Sequence, residues 1–439
     1  MSSNFTRSSV ILMICSALFF GCSSGILKAP EENIHEGSRP EAEAEEEGMV
    51  LRTRIDAENG CTFANAAEYG IYIPEGEDKL NAVLVLQHGC GMERFGITRP
   101  YDLQYRAFAR KWRLAIVETA LYGDCYVWKE PESGSAKALF DALSMAGDKT
   151  GHPELSSAPL LLFGHSAGGY WTLGMLRDYP ERILAAVCYS AAFDPQWDYR
   201  DETARIPVLL RHAGAEDAPT ALCEQTAKNS FRKLRSMDAP ASIAYNEGQN
   251  HNYSYMRYMA IPFYEAALNC RLPSDGEKTL GSIDRSKAWL GNPDTFEIFP
   301  EAGYEGDKSG LCLFPDEKTA GDWQEYVKTG TLSDKTPPEA PYDIKVSSNG
   351  NSSTVTWKAE ADIESGIGKF QVYVNGTLTG TVPEEGEYQS FDLNGDNTYP
   401  VEPVGMSLTI GRKLDRNDIV EVENVNRFGL VSERGKAIQ

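Results

Sequence analysis

Apolar and polar residues follow one rhythm up to about residue 271 and a different one after about residue 340. In the first part, short continuous apolar runs alternate with segments of helical spacing. The runs "EYGIYIP" (68–74), "NAVLVLQHG" (81–89), "LAIVETA" (114–120), "APLLLFG" (158–164), "ILAAVCYSAA" (183–192), "PVLLRHAG" (207–214) and "ASIAYNEG" (241–248) predict strands. Between and after them, "YDLQYRAFARKW" (101–112), "AKALFDALSMA" (136–146), "AGGYWTLGMLRDYP" (167–180), "ALCEQTAKNSFRKLRSM" (221–237) and "YMRYMAIPFYEAALNCRL" (255–272) predict helices. Strands apolar along their whole length, separated by helices, imply a mostly parallel sheet covered on both faces. The expected class is therefore α/β, over residues 51–271.

The segment 272–335 shows no clear period. Its scattered aromatics, Trp289, Phe299, Trp323 and Tyr326, predict an irregular extension packed on the α/β domain. "DKTPPEAP" (334–341) marks a boundary, because clustered prolines forbid helix and stiffen the chain. Beyond it, "YDIKVSS", "STVTWKA", "KFQVYVNG", "MSLTIGR" and "IVEVENVN" alternate with period two, and Asn375–Gly376 suits a tight hairpin. Residues 336–439 should form a small all-β sandwich. "TPPEAP", the tryptophan of "TVTWKA", "DIESGI" and "FQVYVNG" together resemble a fibronectin type III domain. Such a module would act as a spacer or bind a polymer. Lone Trp357 reads as sandwich core.

Composition changes the picture mainly at the N-terminus. The chain carries a formal charge of −22 over 439 residues, which speaks against nucleic-acid partners and against electrostatic adhesion to anionic lipid. Residues 31–48 hold eight Glu against one Arg without apolar periodicity, so 23–50 reads as an acidic, disordered tether. Residues 1–22 combine a cationic start with the apolar run "VILMICSALFFG", the layout of a signal peptide. The ending "LFFGC" resembles the lipobox of bacterial lipoproteins, which would make Cys22 the lipidation site and the membrane contact a lipid anchor. Ordinary cleaved export is the alternative, and both take the protein out of the cytoplasm.

Seven cysteines then remain, an odd number, so at least one thiol stays free. Cys188, inside an apolar strand, is the candidate. Cys90 and Cys125 follow successive buried strands by a few residues and form one candidate disulfide, with Cys223–Cys270 a second. Unpaired or differently paired thiols stay open. No CxxC pair occurs, and no metal or cofactor is implied.

The candidate chemistry centres on "PLLLFGHSAGGYW". A serine between Gly164 and Gly168, after a strand and before a helix, is placed as a nucleophile on a strained turn. Such a nucleophile needs a base. Of the six histidines, His251 comes downstream of both Ser166 and a candidate acid, following a strand. Asp217, three residues past Gly214 at the exit of "PVLLRHAG", is preferred as the acid over Glu216, with Asp194 third. A histidine base must be neutral to accept a proton. Activity should therefore fall as pH drops through the ordinary imidazole range, about 6–7.

The order Ser166, Asp217, His251 resembles the α/β-hydrolase superfamily over about residues 68–270. The resemblance implies a serine hydrolase acting through an acyl-enzyme. It also makes "LVLQHGCGMERFG" similar to the family's oxyanion loop, implying the amides of Cys90 and Ala167 as donors, with Gly91 as the alternative to Cys90. His88 would then support the loop. The "HGCG" stretch is similar to secreted poly(3-hydroxyalkanoate) depolymerases and to feruloyl or acetyl esterases, which implies an ester substrate, polymeric in one reading. The short link 193–206 between two strands argues against a large apolar lid. Gly91, Tyr126 and Trp128 are candidates for touching substrate. A serine peptidase and a non-catalytic binding or scaffold protein are the competing readings.

Overall fold

The computed structural model describes residues 49–56, 62–93, 99–214, 221–251, 256–273, 279–386, 388 and 405–437. The proposed signal, Cys22, the acidic tether, Asp217, Glu216 and Cys61 lie outside the described residues.

Eight strands form the main sheet: β1 (Met49–Asp56), β2 (Ala66–Ile73), β3 (Ala82–Gln87), β4 (Leu114–Tyr122), β5 (Leu160–His165), β6 (Ile183–Tyr189), β7 (Val208–Ala213) and β8 (Ala241–Asn246). Their order is β1-β2-β4-β3-β5-β6-β7-β8. β3 to β8 are mutually parallel, while β2 runs antiparallel to both β1 and β4. The helices are α1 (Leu103–Trp112), α2 (Cys125–Trp128), α3 (Ser135–Thr150), α4 (Ala167–Asp178), α5 (Ala221–Ser236) and α6 (Met256–Arg271). All six residues of β3 and of β5 are buried, which is why their sequences are continuous apolar runs and not alternating ones. This is the expected mostly parallel α/β fold. The strand β1, "MVLRTRID", adjoins the acidic tether and was not anticipated.

The segment 272–335 is more ordered than its sequence suggests. It supplies three short antiparallel strands, β9 (Trp289–Gly291), β10 (Ile298–Pro300) and β11 (Cys312–Phe314), and a thirteen-residue helix, α7 (Glu317–Thr329). The Asp316 side chain caps α7 by accepting from the Thr319 amide at 2.8 Å. β8 is an edge strand, and an edge leaves backbone groups unpaired. Here Trp323 Nε1 donates to the Ile243 carbonyl at 2.8 Å, and the Ile243 amide lies 3.3 Å from Cys312 Sγ. Trp323 and Tyr326 are fully buried in the main core. Aromatic side chains thus seal the edge, and the segment is part of the α/β domain.

The C-terminal region forms two antiparallel sheets. One contains β12 (Tyr342–Asn349), β13 (Ser352–Lys358) and β16 (Ser407–Ile410) in that order. The other is ordered β15 (Thr377–Val382), β14 (Lys369–Val374), β17 (Val420–Val425), β18 (Gly435–Lys436). Asn375 and Gly376 make the β14–β15 hairpin with φ of 51° and 76°, values that Asn and Gly tolerate best. Inward residues of both sheets, Val355, Trp357, Phe370, Val372 and Val422 among them, share one core, so the sheets pack as a sandwich.

This sandwich is docked. Leu103 and Ala107 of α1 belong to its core, Gln104 Nε2 donates to the Ile363 carbonyl at 2.9 Å, and Arg110 pairs with Glu360. Asp334 is buried and accepts from Ser365 Oγ at 2.6 Å and Asn426 Nδ2 at 2.7 Å. Asp334, ahead of the sandwich's first strand, is thus hydrogen-bonded to it.

Asp362 shares Asn426 Nδ2 with Asp334, at 3.0 Å. Burial, then Glu364 and the Asp334 charge, hold its carboxyl well above the usual carboxylate range. The unfolded chain gives up this proton near pH 4 while the folded chain keeps it, so rising pH favours the unfolded state. Stability should fall as pH rises above about 4. In Asp362→Asn that loss should be smaller. Melting temperatures of the two proteins from pH 5 to 9 should diverge with increasing pH, and parallel curves would refute the assignment.

Candidate active site

β5 runs into α4 through Ser166, whose backbone is at φ 56° and ψ −117°. A non-glycine residue seldom adopts this conformation, and it survives here because the surroundings over-determine it. A Cβ on Gly164 would lie 2.1 Å from the Gly168 carbonyl oxygen, and one on Gly168 would lie 2.4 Å from the His88 carbonyl oxygen. The two glycines therefore let strand, helix and neighbouring loop close on one another. The Ser166 amide donates to the Tyr189 carbonyl at 2.9 Å, and the Ser166 carbonyl accepts from Tyr170 in α4 at 3.1 Å and from Ala192 at 3.2 Å. The serine is thus held at a helix N-terminus, where developing negative charge is favoured.

His251 Nε2 lies 3.0 Å from Ser166 Oγ. Eighty-five residues separate them in sequence. A hydroxyl at that distance can surrender its proton to a neutral imidazole as it attacks. The His251 carbonyl accepts from His165 Nε2 at 2.7 Å, so the elbow's own histidine braces the base. Burial, then the neighbouring His251, holds His165 well below the usual imidazole range, so it stays neutral.

Nδ1 of His251 points away from Ser166 and lies 3.7 Å from Cys223 Sγ on α5. The chain that carries Asp217 leaves β7 at Gly214, whose amide donates to the Asn246 carbonyl at 2.9 Å, and re-enters at α5. Asp194 instead accepts from Asn229 Nδ2 at 2.8 Å, on α5. Cys223–Cys270 is the second candidate bridge of the sequence. The two are not bonded to each other; Cys188, Cys270 and Cys312 are free thiols, and Cys223 faces the imidazole.

The loop after β3 lies against the elbow. A Cβ on Gly89 would be 3.0 Å from Ser166 Cβ, so the backbone of Gly89 passes beside Ser166. Cys90 and Gly91 are exposed, while Ala167 is buried at the first position of α4. Cys90 is bonded to Cys125, with Cα atoms 5.4 Å apart, and this fastens the loop to α2. His88 Nε2 accepts the Leu121 amide at 2.9 Å, which leaves Nδ1 to donate to the Gly89 carbonyl at 2.6 Å. Burial lowers His88 to about 4, so this tautomer persists at neutral pH.

Trp128 corrects the sequence expectation. It is fully buried, edge-on to His88 with ring centroids 5.0 Å apart, and packs beneath the loop that His88 enters. Tyr126, two residues earlier, is 48% exposed and tilts against Phe193, 5.2 Å away. Tyr170 and Trp171 are both buried, and Lys129 Nζ stands 4.1 Å from the centroid of the Tyr170 ring. Arg211, Gln249 and His165 escaped the sequence reading. The visible signal for Arg211 was a charge inside the apolar run "PVLLRHAG".

No family model matches the sequence, and no curated protein does. Among solved structures, the chain is similar to a thermostable esterase at 15% identity, over 46% of this chain and 55% of that one, with a TM-score of 0.35. It spans little more than half of that protein's length. FphF, a fluorophosphonate-binding serine hydrolase of Staphylococcus aureus, is 14% identical over 51% of this chain and 99% of that one, with a TM-score of 0.37. A ferulic acid esterase is 13% identical over 51% and 95%, with a TM-score of 0.33.

Among the described residues, no group of three or more His, Cys, Asp or Glu side chains is placed to hold a metal ion, and no helix is long and apolar enough to cross a membrane.

Proposed function

We propose that the chain is a serine hydrolase of the α/β-hydrolase type, exported and lipid-anchored through Cys22, that cleaves carboxylic esters. The observation that carries this reading is the 3.0 Å contact between Ser166 Oγ, on a strained turn at a helix N-terminus, and His251 Nε2. Ser166 attacks the acyl carbon while His251 takes its proton. The alcohol leaves with that proton, and water then hydrolyses the acyl-enzyme with His251 again as base. Asp217, the candidate acid, orients His251 and stabilises the imidazolium. The amides of Cys90 and Ala167 receive the oxyanion, a role supported by the position of the Gly89 backbone against Ser166. Tyr126, exposed on the disulfide-fastened turn, offers the substrate an aromatic surface.

The Cys90–Cys125 disulfide supports export, since such bonds persist in oxidising compartments. Ester over amide rests on the resemblance of the "HGCG" loop, and a polymeric ester rests on that resemblance and on the sandwich. The sandwich is read as fibronectin type III-like.

A panel of p-nitrophenyl acyl esters and peptide p-nitroanilides, run with Ser166→Ala as control, tests the proposal. Ester turnover that vanishes in the variant is expected. Turnover of amides alone would favour the peptidase reading, and no turnover of either would favour a scaffold.

A further inference from the structure

Arg211, near the end of β7, is fully buried. A guanidinium taken out of water must direct its N–H groups at protein acceptors. Nε donates to Asn246 Oδ1 at 3.1 Å, and Nη1 donates to Ser190 Oγ at 2.9 Å and to the Asn250 carbonyl at 3.0 Å. Nη2 donates to Gln249 Oε1 at 2.8 Å, and the group lies 4.7 Å from the centroid of the Tyr189 ring. These partners fall into two sets. Tyr189 ends β6 and Ser190 follows it, and the Tyr189 carbonyl holds the Ser166 amide. Asn246, Gln249 and Asn250 form the loop that delivers His251.

We infer that Arg211 is the positioning residue that fixes His251 against Ser166, an inference that rests on reading those two residues as base and nucleophile. The Asn250 carbonyl is joined through its peptide bond to the His251 nitrogen. Arg211 grips that carbonyl and His165 grips the next one, so the backbone of His251 is held on both sides. The grip continues outward. Gln249 Nε2 donates to the Gly330 carbonyl at 2.9 Å and Asn246 Nδ2 donates to the Tyr326 carbonyl at 3.2 Å, tying the same loop to α7. Three nitrogens in one rigid plane reach these directions together, and a lysine ammonium on a flexible stem does not. Arg211 thus joins residues 246–250 to the end of β6 beside the elbow.

Arg211→Lys keeps the charge and removes the fork. Displacements of about 1 Å at a reacting pair cost on the order of 100-fold, so kcat should fall by about that factor with KM changed less than about threefold. The rate at which a fluorophosphonate labels Ser166 should fall in parallel. Arg235→Lys is the control: Arg235 is also buried and bonds the carbonyls of Leu311 and Ala239, away from the site. It should lower the melting temperature and leave kcat within about twofold. Hydrogen exchange in a peptide covering 246–251 should quicken in Arg211→Lys and not in Arg235→Lys.

If Arg211→Lys does not fold, Gln249→Ala removes one arm of the fork, and a several-fold loss of kcat at unchanged KM is expected there. A folded Arg211→Lys with kcat within about threefold of wild type overturns the inference, as does a Gln249→Ala of unchanged kcat. A wild type that neither turns over esters nor takes the label would defeat the hydrolase reading instead. The exchange measurement then still decides whether Arg211 holds the loop, and unchanged exchange at 246–251 overturns that.

Discussion

Replacing Ser166 with alanine is expected to lower ester turnover by about 10⁴-fold or more, and His251→Ala should cost about as much, because the members of such a unit fail together. The expectation comes from geometry. Without Oγ there is no nucleophile 3.0 Å from His251 Nε2, and without the imidazole the hydroxyl keeps its proton. The double variant should be little worse than either single one. A fluorophosphonate should label Ser166 in the wild type and nothing in Ser166→Ala. Labelling that persists in Ser166→Ala, or activity that survives the loss of His251, would sink the assignment. Ser166 is partly exposed and bonded through its backbone, so the alanine variant should fold normally. Melting temperatures within a few degrees of wild type would separate a chemical loss from a structural one.

The second large effect is structural and lies at the junction of the two domains. Asp102 caps α1 by accepting the Tyr105 amide at 3.0 Å, and its other carboxylate oxygen accepts from Arg257 Nη1 at 2.8 Å. Both side chains are almost fully buried, at 2% and 3% exposure. The same Nη1 donates to Gln104 Oε1 at 3.1 Å, and Gln104 carries the chain of contacts to Ile363 in the sandwich. Asp102→Ala removes a helix cap and leaves the Arg257 charge buried without its carboxylate. Breaking such a pair costs about 3–5 kcal/mol. Denaturant unfolding of the variant should show that loss. A loss below about 1 kcal/mol would mean that Arg257 is held by other groups. Arg257 stands in the first turn of α6, shortly after His251, so the sandwich is mechanically continuous with the helix that follows the base. Removing the sandwich would also bare Leu103 and Ala107. Loss of the sandwich should therefore destabilise the α/β domain.

The α/β class and most of its elements were legible in the sequence because burial on both faces leaves a local mark. Strands such as "NAVLVLQHG" are apolar throughout, and the helices between them repeat every three to four residues. The elbow was legible because steric crowding demands glycine at 164 and 168 whatever the rest of the fold does. The loops after β3 and β4 marked Cys90 and Cys125 as a pair because those strands are neighbours in the sheet. The C-terminal strands showed themselves through strict alternation, as in the burial of "SSTVTWK".

Tertiary structure decided what no local pattern encodes. Trp128 in its loop looked available to a substrate, and only the packing of β4 and α2 against His88 puts it inside. Cys223 and Cys270 looked like partners by placement on neighbouring helices, yet the fold turns Cys223 toward His251. The segment 272–335 lacks periodicity because its job is to seal an edge strand with single side chains, Trp323 and Cys312, and not to present a repeated apolar face. Arg211 is the sharpest case. A charge in an apolar strand is costly wherever it stands, and its sequence neighbours do not reveal what compensates it. Its acceptors come from Ser190 and from residues 246–250, brought round it only when β6, β7 and β8 align. Local sequence determined where strands, helices and the strained serine lie, since sterics and burial act over a few residues. The partner of each buried polar group is a long-range choice, and the folded chain alone makes it.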